Sequence, residues 1–325
     1  MKVCYFSLIC IVARVVSADN APIFESSFTK FHINNTQITW TAPTNQLCAV
    51  LWTYKVVPQV FSEKEISELM HSSLINNKIK EVREPLHYSN SSNTCSLVVI
   101  PAQGYIKYFD EFAPPNHWDS TNHLWERVEG LPNKTKIEQL GLKLLKQFGI
   151  KRTELAQNKD SHLITFGENK TRSYFDRRTN KYIDDEVIAR GIFFNRRIDG
   201  VNFAGIGLGG GCEIEFGNNA KIADFKLVWR NLQRYEHYKV ATQDEIKQFI
   251  FNGSAVLTHK NYVNPANIRQ LTITDISPLY MGANGNEIQN FIYPFAKIEA
   301  IADVGNTNQE IELYCPILST NKVTN

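Results

Sequence analysis

The sequence predicts an α+β protein in which short helices pack on antiparallel sheets. Three times a Ser or Thr stands three residues before a Glu at the start of an amphipathic run: Ser62 with Glu65, Thr135 with Glu138, and Thr242 with Glu245. This spacing is typical of a capping box, in which the hydroxyl and the Glu each satisfy a free N–H at the start of a helix. Strand-like segments, which alternate apolar and polar residues, follow each run.

The first part of the chain predicts a helix between strands. Ile38–Trp40 and Ala49–Val57 precede the first capped run, and Ser96–Ile100 and Tyr105–Phe109 follow it. Within the run, apolar residues recur at helical spacing on one face: Ile66, Leu69, Met70 and Leu74.

The same order recurs further along. A second helix is predicted from the spacing of Ile137, Leu140, Leu144 and Phe148. Gly149 stands where helices commonly end in the left-handed conformation. The third helix, with Ile246, Phe249 and Ile250 on one side, is predicted to lie on the apolar face of the strand Ile222–Trp229.

Turn residues predict two hairpins after the second helix. Asp199-Gly200 suits a type I′ turn, so the strand Ile188–Ile198 should double back at Val201. Gly217-Asn218-Asn219 separates Cys212–Phe216 from Ile222–Trp229.

Three more strands are predicted near the end of the chain: Leu271–Tyr280, Phe295–Val304 and Glu310–Leu318. On the last two, small residues should face larger ones and leave room for a helix. The two sets are Ile298, Ala300, Ala302 and Val304, and Ile311, Leu313, Cys315 and Ile317.

Two domains are predicted, residues 19–112 and 134–325. The segment 113–133 between them contains Pro114-Pro115 and many polar residues, which disfavour both helix and strand. The second domain could consist of two repeated helix-plus-sheet units.

Residues 1–18 predict a cleaved secretory signal peptide. Lys2 precedes the mostly apolar run Val3–Val12, and Val16-Ser17-Ala18 offers small residues for the peptidase. The apolar run is too short for a bilayer, which needs roughly 20 residues. No later segment is a candidate span, so we expect a secreted, extracellular protein; an uncleaved anchor is the alternative.

Four cysteines follow the signal peptide: Cys48, Cys95, Cys212 and Cys315. An even number in an oxidising compartment predicts disulfides, and three pairings are possible. Pairing Cys48 with Cys95 and Cys212 with Cys315 is favoured because each bridge then stays within one predicted domain. A four-cysteine zinc site lacks the usual close pair of ligands.

Five Asn-x-Ser/Thr triplets permit N-glycosylation, at Asn34, Asn90, Asn133, Asn169 and Asn252. With so many Asn, Ser and Thr residues, several such triplets are expected by chance. The triplets therefore indicate a glycoprotein without demonstrating one.

The charge balance argues against nucleic acid as a partner. The net charge is +2, from 35 basic and 33 acidic side chains. The basic run Arg172–Arg197 is interleaved with acidic residues, which is typical of a solvated surface and not of a concentrated basic face.

One resemblance emerges from the order of elements. The matching elements are the run Arg196–Val201, the Gly-rich gap, Glu213–Gly217, Ile222–Trp229 and the capped helix at Thr242. Their order resembles the helix-plus-hairpin unit of PepSY-like domains, which are similar in topology to cystatins. The resemblance covers roughly residues 135–318 and implies a secreted or membrane-tethered module that binds or regulates proteins, often proteases. The Gln-x-Val-x-Gly hairpin of cystatins is missing; Gln59-Val60-Phe61 comes nearest, without the Gly.

Several motifs are candidates for a site, and each has a structural reading beside it. His117, Asp119 and His123 supply possible metal ligands within a polar linker. The glycine-rich run 205–211 lacks the helix that a phosphate loop requires, so a hairpin connection or bulge is favoured.

Carboxylate pairs and tryptophans are the remaining candidates. Glu213 with Glu215, and Asp184 with Asp185, could serve glycoside chemistry, although the outer face of a sheet explains the first pair. A sugar platform could use exposed tryptophans, for which Trp40, Trp52, Trp118 and Trp125 are candidates, whereas Trp229 alternates with charged residues like a core residue.

No nucleophile, base and orienting group occur together in a recognisable motif. We therefore predict a secreted, non-enzymatic binding or regulatory protein that acts on an extracellular protein partner. No cofactor or catalytic residue is predicted, and a small-molecule ligand is not identified. The alternatives are a secreted hydrolase whose catalytic residues come from dispersed loops, and a carbohydrate-binding protein.

Overall fold

A computed structural model describes most of the chain after residue 28. The described residues are 29–33, 36–43, 47, 49–67, 81–89, 94–115, 117–122, 124–158, 160–204, 209–258, 263–285, 287–305 and 307–322. The predicted signal peptide, residues 1–18, lies outside them.

The chain divides into two compact units, each assembled from separate stretches of sequence. The first unit comprises Met1–Lys55, Arg234–Met281 and Phe291–Asn325, and the second comprises Val56–Gln233 and Gly282–Asn290. The segment 113–133, predicted as a linker, lies within the second unit.

Strands make up most of the described elements. In chain order they are β1 (Thr29–Phe31), β2 (Gln37–Trp40), β3 (Val50–Val57), β4 (Phe61–Ser62), β5 (Glu81–Val82), β6 (Leu86–Ser89), β7 (Cys95–Ile100), β8 (Tyr105–Asp110), β9 (Trp118–Asp119), β10 (Leu124–Trp125), β11 (Thr165–Asp176), β12 (Lys181–Asn195), β13 (Arg197–Ile198), β14 (Val201–Ala204), β15 (Gly211–Phe216), β16 (Ile222–Val228), β17 (Asn231–Val240), β18 (Ala255–Leu257), β19 (Gln270–Met281), β20 (Phe291–Ile292), β21 (Pro294–Asp303), β22 (Asn308–Pro316) and β23 (Leu318–Lys322). The described helices are α1 (Glu63–Ser67), α2 (Lys134–Gln147) and α3 (Gln243–Phe251).

The second unit is built on a seven-stranded antiparallel sheet in the order β11-β12-β15-β16-β8-β7-β6. Its core face is made by apolar residues that lie directly opposite one another across neighbouring strands. One such row runs Phe194, Cys212, Leu227, Ile106 and Val99, all buried. This row shows why alternating sequence gives a covered face here: residues two apart on a strand point to the same side.

Helix α2 covers part of this core face. Leu144 and Leu145 are buried, and the ring of Phe148 stacks on Phe225 at 5.3 Å between centroids. Gly141 permits the close approach, since a Cβ added there would lie 2.7 Å from the Phe194 ring. The absence of a side chain at Gly141 thus sets the distance between helix and sheet.

The first unit contains two sheets. In one, β1, β18, β22, β21 and β19 are neighbours in that order, and β2 pairs in parallel with β19. The other has the order β20-β3-β17-β23. Helix α3 packs on β22, and its buried residues Ile246, Phe249 and Ile250 are those predicted to form its apolar side.

The predicted α+β class is wrong, because the described part of the protein is mostly β: strands account for 54% of the described residues and helices for 15%. Capping motifs mark where helices begin but not how long they are, and α3 has only nine residues. The reading of residues 134–325 as repeated helix-plus-sheet units falls with it, since α2 and α3 belong to different units and pack on sheets of different strand order.

Locally, the predictions vary in success. Both hairpins are confirmed, by the pairings of β13 with β14 and of β15 with β16. The three final strands are confirmed as β19, β21 and β22. Helix α3 was predicted on the strand Ile222–Trp229 and packs on β22 instead.

The predicted helix caps are confirmed for two helices and wrong for the third. Ser62 and Thr242 form capping boxes with Glu65 and Glu245. Helix α2, however, begins two residues earlier than its Thr–Glu pair suggests. Its N-cap is Asn133, whose Oδ1 accepts from the Lys136 N–H at 2.9 Å. The predicted residues Leu69, Met70 and Leu74 of the first helix lie outside the described residues.

Candidate functional site

A concave site in the second unit lies at the end of α2. The helix stops in a Schellman motif: the Gly149 N–H donates to the Lys146 carbonyl and the Ile150 N–H to the Leu145 carbonyl, both at 3.1 Å. Gly149 takes the left-handed conformation with φ +72°, as the sequence predicted. The turn brings Ile150 back beside the helix, which creates a hollow between the two.

A second turn closes this hollow. Residues Arg152–Glu154 form a 3₁₀ turn, whose start is held by a 3.4 Å hydrogen bond from the Lys151 N–H to the Glu154 carboxylate. Leu155 follows and is 2% exposed. The helix end and the turn thus form two sides of one pocket.

The pocket has an apolar floor and a basic rim. Its volume is about 400 Å³, within the roughly 300–1,000 Å³ range of ligand clefts. The apolar lining residues are Leu142, Leu145, Ile150 and Leu155, and the rim carries Lys146, Lys151 and Arg152 beside Gly149. A Cβ added at Gly149 would meet nothing within 4 Å, so the mouth of the pocket is open there.

The rim belongs to a larger basic surface, which we call the α2 surface. It comprises the exposed cations of residues 134–152: Lys134, Lys136, Lys143, Lys146, Lys151 and Arg152. Only two acidic residues, Glu138 and Glu154, lie in the segment 134–154, so its net charge is +4, against +2 for the whole chain.

None of these six cations forms an ion pair within the part of the chain that the structure describes. Their field is therefore available to a partner, and exposed unpaired cations attract anionic groups over roughly 8 Å at physiological salt. Sequence reasoning missed this surface because it sought a run of basic residues. The charge of the helix plus its turn, counted together, would have indicated it.

Two of the three metal-ligand candidates, His117 and Asp119, lie among the described residues. Asp119 accepts hydrogen bonds from its own turn, from the Thr121 N–H at 2.9 Å and the Asn122 side-chain amide at 2.7 Å. The His117 ring stacks on Phe112 at 4.3 Å, and His123 lies outside the described residues. Among the residues described, no three His, Cys, Asp or Glu side chains are placed to hold a metal ion.

The structure leaves Cys212 and Cys315 without a disulfide. Cys212 and Cys315 are buried free thiols, one in each unit, so the predicted bridge between them is not formed. Burial raises the pKa of the Cys212 thiol and that of Cys315, which keeps both protonated and unreactive. Cys95 is also buried, and Cys48 lies outside the described residues.

Three of the five glycosylation triplets fall on described residues. Asn133, Asn169 and Asn252 are all exposed, at the N-cap of α2, in the middle of β11 and at the end of α3 respectively. Asn34 and Asn90 lie outside the described residues. Exposure makes the three described Asn residues accessible to modification.

The first pair of carboxylate candidates lies on the face of the seven-stranded sheet opposite its core. Glu213 and Glu215 alternate with buried Ile214, and Glu215 lies directly opposite Asp224 on β16. Burial, and then the charge of Glu213, raises the pKa of Asp224 to about 6. Of the other pair, Asp184 accepts from the Ser173 hydroxyl at 2.6 Å, in the irregular part of the β11–β12 pairing.

Two of the tryptophan candidates face each other on the hairpin β9–β10. Trp118 and Trp125 are a cross-strand pair in edge-to-face contact at 5.3 Å, and Trp118 is 42% exposed. The Arg172 guanidinium lies 5.2 Å from the Trp125 ring and 5.0 Å from that of Tyr174. The Trp125 ring therefore packs against its neighbours, whereas the Trp118 ring is exposed.

Of the others, Trp40 donates to the Ala42 carbonyl, and Trp52 lies beside His237. The core assignment of Trp229 is confirmed, since it is 6% exposed.

The glycine-rich run serves close packing where the structure describes it. A Cβ on Gly209 would lie 1.9 Å from the Gly282 carbonyl oxygen, and one on Gly210 would lie 2.4 Å from the Phe203 ring. Gly211 begins β15, so a strand follows the run and not the helix of a phosphate loop. Residues 205–208 lie outside the described residues.

No helix among the described residues combines the length and apolar character that crossing a bilayer requires.

Comparison with known proteins gives a structural likeness and no family. No protein-family model matches the chain, and no curated protein matches its sequence. Among solved structures, an uncharacterized protein from Eubacterium rectale is similar over 86% of each chain, with 12% sequence identity and a TM-score of 0.40.

Proposed function

We propose that this chain is an extracellular, non-enzymatic binding protein that engages another protein through the pocket at the end of α2. The partner contributes an apolar side chain to the pocket and carboxylates to its rim. The observation that carries this proposal is the apolar cavity bordered by Lys146, Lys151 and Arg152, with no described carboxylate paired to any of them.

The chemistry of the pocket favours such a segment. An apolar side chain that leaves water for this floor contributes about 2 kcal/mol. Acidic residues on either side gain from the rim charges, and these also speed the encounter. A neutral apolar ligand would leave the rim unused, and a purely acidic one would leave the floor empty.

A binding experiment with designed peptides tests the proposal. The probe is a short labelled peptide with a central Leu-Phe pair flanked by Glu residues; one control replaces Leu-Phe by Gly-Gly and another replaces Glu by Gln. We expect the probe to bind and both controls to bind weakly, because floor and rim must be used together.

Charge reversal locates the contact. Lys151→Glu with Arg152→Glu should weaken binding of the probe roughly tenfold at low salt. The matched control is Arg177→Glu with Lys181→Glu, which reverses two exposed charges at the β11–β12 turn of the same unit. Equal affinity of the two double variants would refute a contact at the α2 surface.

A second candidate function, sugar binding, is favoured by the exposed ring of Trp118. Aromatic faces stack on sugar rings, and the turn after Trp118 offers polar Asp119 and Asn122. Loss of glycan-array binding in Trp118→Ala, with peptide binding intact, would establish this alternative.

A further inference from the structure

Strand β11 forms an open edge of the seven-stranded sheet. Among the strands of the described residues, β11 pairs with β12 alone. It is 12 residues long, and six consecutive residues, Phe166–Thr171, are exposed. The opposite edge strand, β6, has four described residues.

An open edge of this length invites pairing with another chain. Its unpaired N–H and C=O groups are a template for a further strand, and an exposed apolar residue strengthens the association. Phe166 is 57% exposed on β11. The part of the edge most suited to pairing is Thr165–Asn169, which keeps regular register with Arg190–Phe194.

Beyond that part, β11 already carries features that disfavour association. Its pairing with β12 shifts register between Lys170 and Thr171 and again between Arg172 and Tyr174. Such irregularities twist an edge away from a partner. The regular half has no such shift, and Glu168 is its one charged residue.

Asn169 stands at the end of this regular half, within the triplet Asn169-Lys170-Thr171. Its side chain is exposed and forms no hydrogen bond within the described part of the chain. The acceptor amide is therefore free, and it stands on a face of β11, the only long edge strand that this sheet presents among the described strands.

We propose that Asn169 carries an N-linked glycan that blocks edge-to-edge association of β11. The proposal rests on the extracellular function above, since the modification takes place in a eukaryotic secretory route. In the transfer, the Asn169 side-chain nitrogen bonds to C1 of a lipid-diphosphate-linked oligosaccharide. The C1–O bond to the lipid diphosphate breaks, the lipid diphosphate leaves with the electron pair, and the amide loses one proton. The bulky polar product covers the strand that a second copy would approach.

The first experiment asks whether the site is used. The full chain is expressed in eukaryotic cells, and secreted protein is treated with a peptide-N-glycosidase in ¹⁸O-labelled water, which marks each formerly glycosylated Asn. We expect the label at position 169. Label at Asn133 or Asn252 without label at Asn169 would overturn this inference alone, whereas a chain that never reaches the medium and carries no glycan overturns both this inference and the extracellular function.

The second experiment asks what the glycan does. Thr171→Val removes the triplet yet keeps a β-branched residue in the strand, and Thr171→Ser keeps the triplet. By light scattering after size exclusion, the Val variant should associate at a concentration roughly tenfold lower than the Ser variant. Thr135→Ala, which removes the Asn133 triplet, should behave like the wild type.

A measurement on the wild-type sequence controls for a folding defect caused by the substitution at Thr171. Enzymatic deglycosylation of the folded wild type should reproduce the association of Thr171→Val. If the deglycosylated protein and Thr171→Val both remain monomeric where Thr171→Ser does, the edge does not need the glycan and the inference is wrong.

Discussion

At the scale of single residues, Arg230 is the most constrained charge in the second unit. It is 2% exposed, and its guanidinium donates to the Gln103 side chain and to four backbone carbonyls. The carbonyls belong to Gly209, Ala283, Asn284 and Glu287. Burial lowers the pKa of Arg230 to about 10, which leaves it charged at neutral pH. The side chain therefore connects the end of the glycine-rich run to the segment 282–290.

Replacing Arg230 by Met should destabilise the protein by about 3 kcal/mol, because the buried carbonyls lose their donors. Arg230→Lys, which keeps the charge but has fewer donors, should fall between Met and wild type. Urea unfolding measures both, with the exposed Arg177→Met as the control. Equal stability of Arg230→Met and Arg177→Met would show that the network contributes little.

Asp224 makes stability depend on pH. Its pKa is raised from 3.8 to about 6 by burial and then by Glu213, so the folded state holds its proton more tightly than the unfolded state. The free energy of unfolding should therefore fall as pH rises from about 4 to about 6, by about 1 kcal/mol after discounting for solvent screening. Glu215, Lys107 and Lys170 also act on this carboxyl, and Glu213 titrates with it.

Asp224→Asn should remove most of this fall, because the amide stays neutral throughout. Urea unfolding at several pH values between 4 and 7 checks this. An Asp224→Asn protein whose stability declines as steeply as that of the wild type would assign the effect to other groups.

At the scale of elements, the N-cap of helix α2 differs between the sequence prediction and the structure. The Thr135–Glu138 pair predicts one cap, whereas the structure places Asn133 at the N-cap, two residues earlier. Asn133→Ala should cost about 1 kcal/mol, and Thr135→Ala should cost little, since Thr135 lies within the first helical turn. Thermal unfolding of protein made in bacteria, where neither Asn133 nor Asn169 is modified, separates the two. A larger loss from Thr135→Ala would restore the sequence-based cap.

The elements that could be predicted are those defined by neighbours in sequence. Asp199-Gly200 fixes its hairpin because both residues adopt positive φ, at 47° and 82°. The partners of more distant segments could not be predicted, because nothing local encodes them. Strand β8 pairs with β16, for example, placing Tyr105 opposite Val228. The pocket at the end of α2 was half predictable: Gly149 signalled the helix end, but the return of Ile150 and Leu155 to form the hollow depends on packing.

At the scale of the whole molecule, the assignment of segments to units explains the cysteines. The predicted bridge between Cys212 and Cys315 assumed that residues 134–325 form one domain, but these residues belong to different units. Both side chains are fully buried in apolar surroundings, where a thiol behaves as a small hydrophobic group. The favoured pairing therefore depended on where the domain boundary was placed.

Thiol labelling checks this assignment. In native protein, Cys212 and Cys315 should resist iodoacetamide, and both should react after unfolding in denaturant without reductant, because burial and a raised pKa suppress the thiolate. Peptide mapping by mass spectrometry identifies the labelled residues. A disulfide-linked peptide containing both cysteines would contradict the structure.

The distribution of the first unit over three stretches of sequence has a consequence for biosynthesis. The hydroxyl of Thr36 donates to the carbonyl of Ile268, 232 residues further on, and β2 beside it pairs with β19. As a ribosome releases the chain from its amino end, β1 and β2 emerge long before their partners exist. Strands β1 and β2 therefore lack their partner strands until most of the polypeptide has been made. Removing β19 should leave β2 without its partner strand.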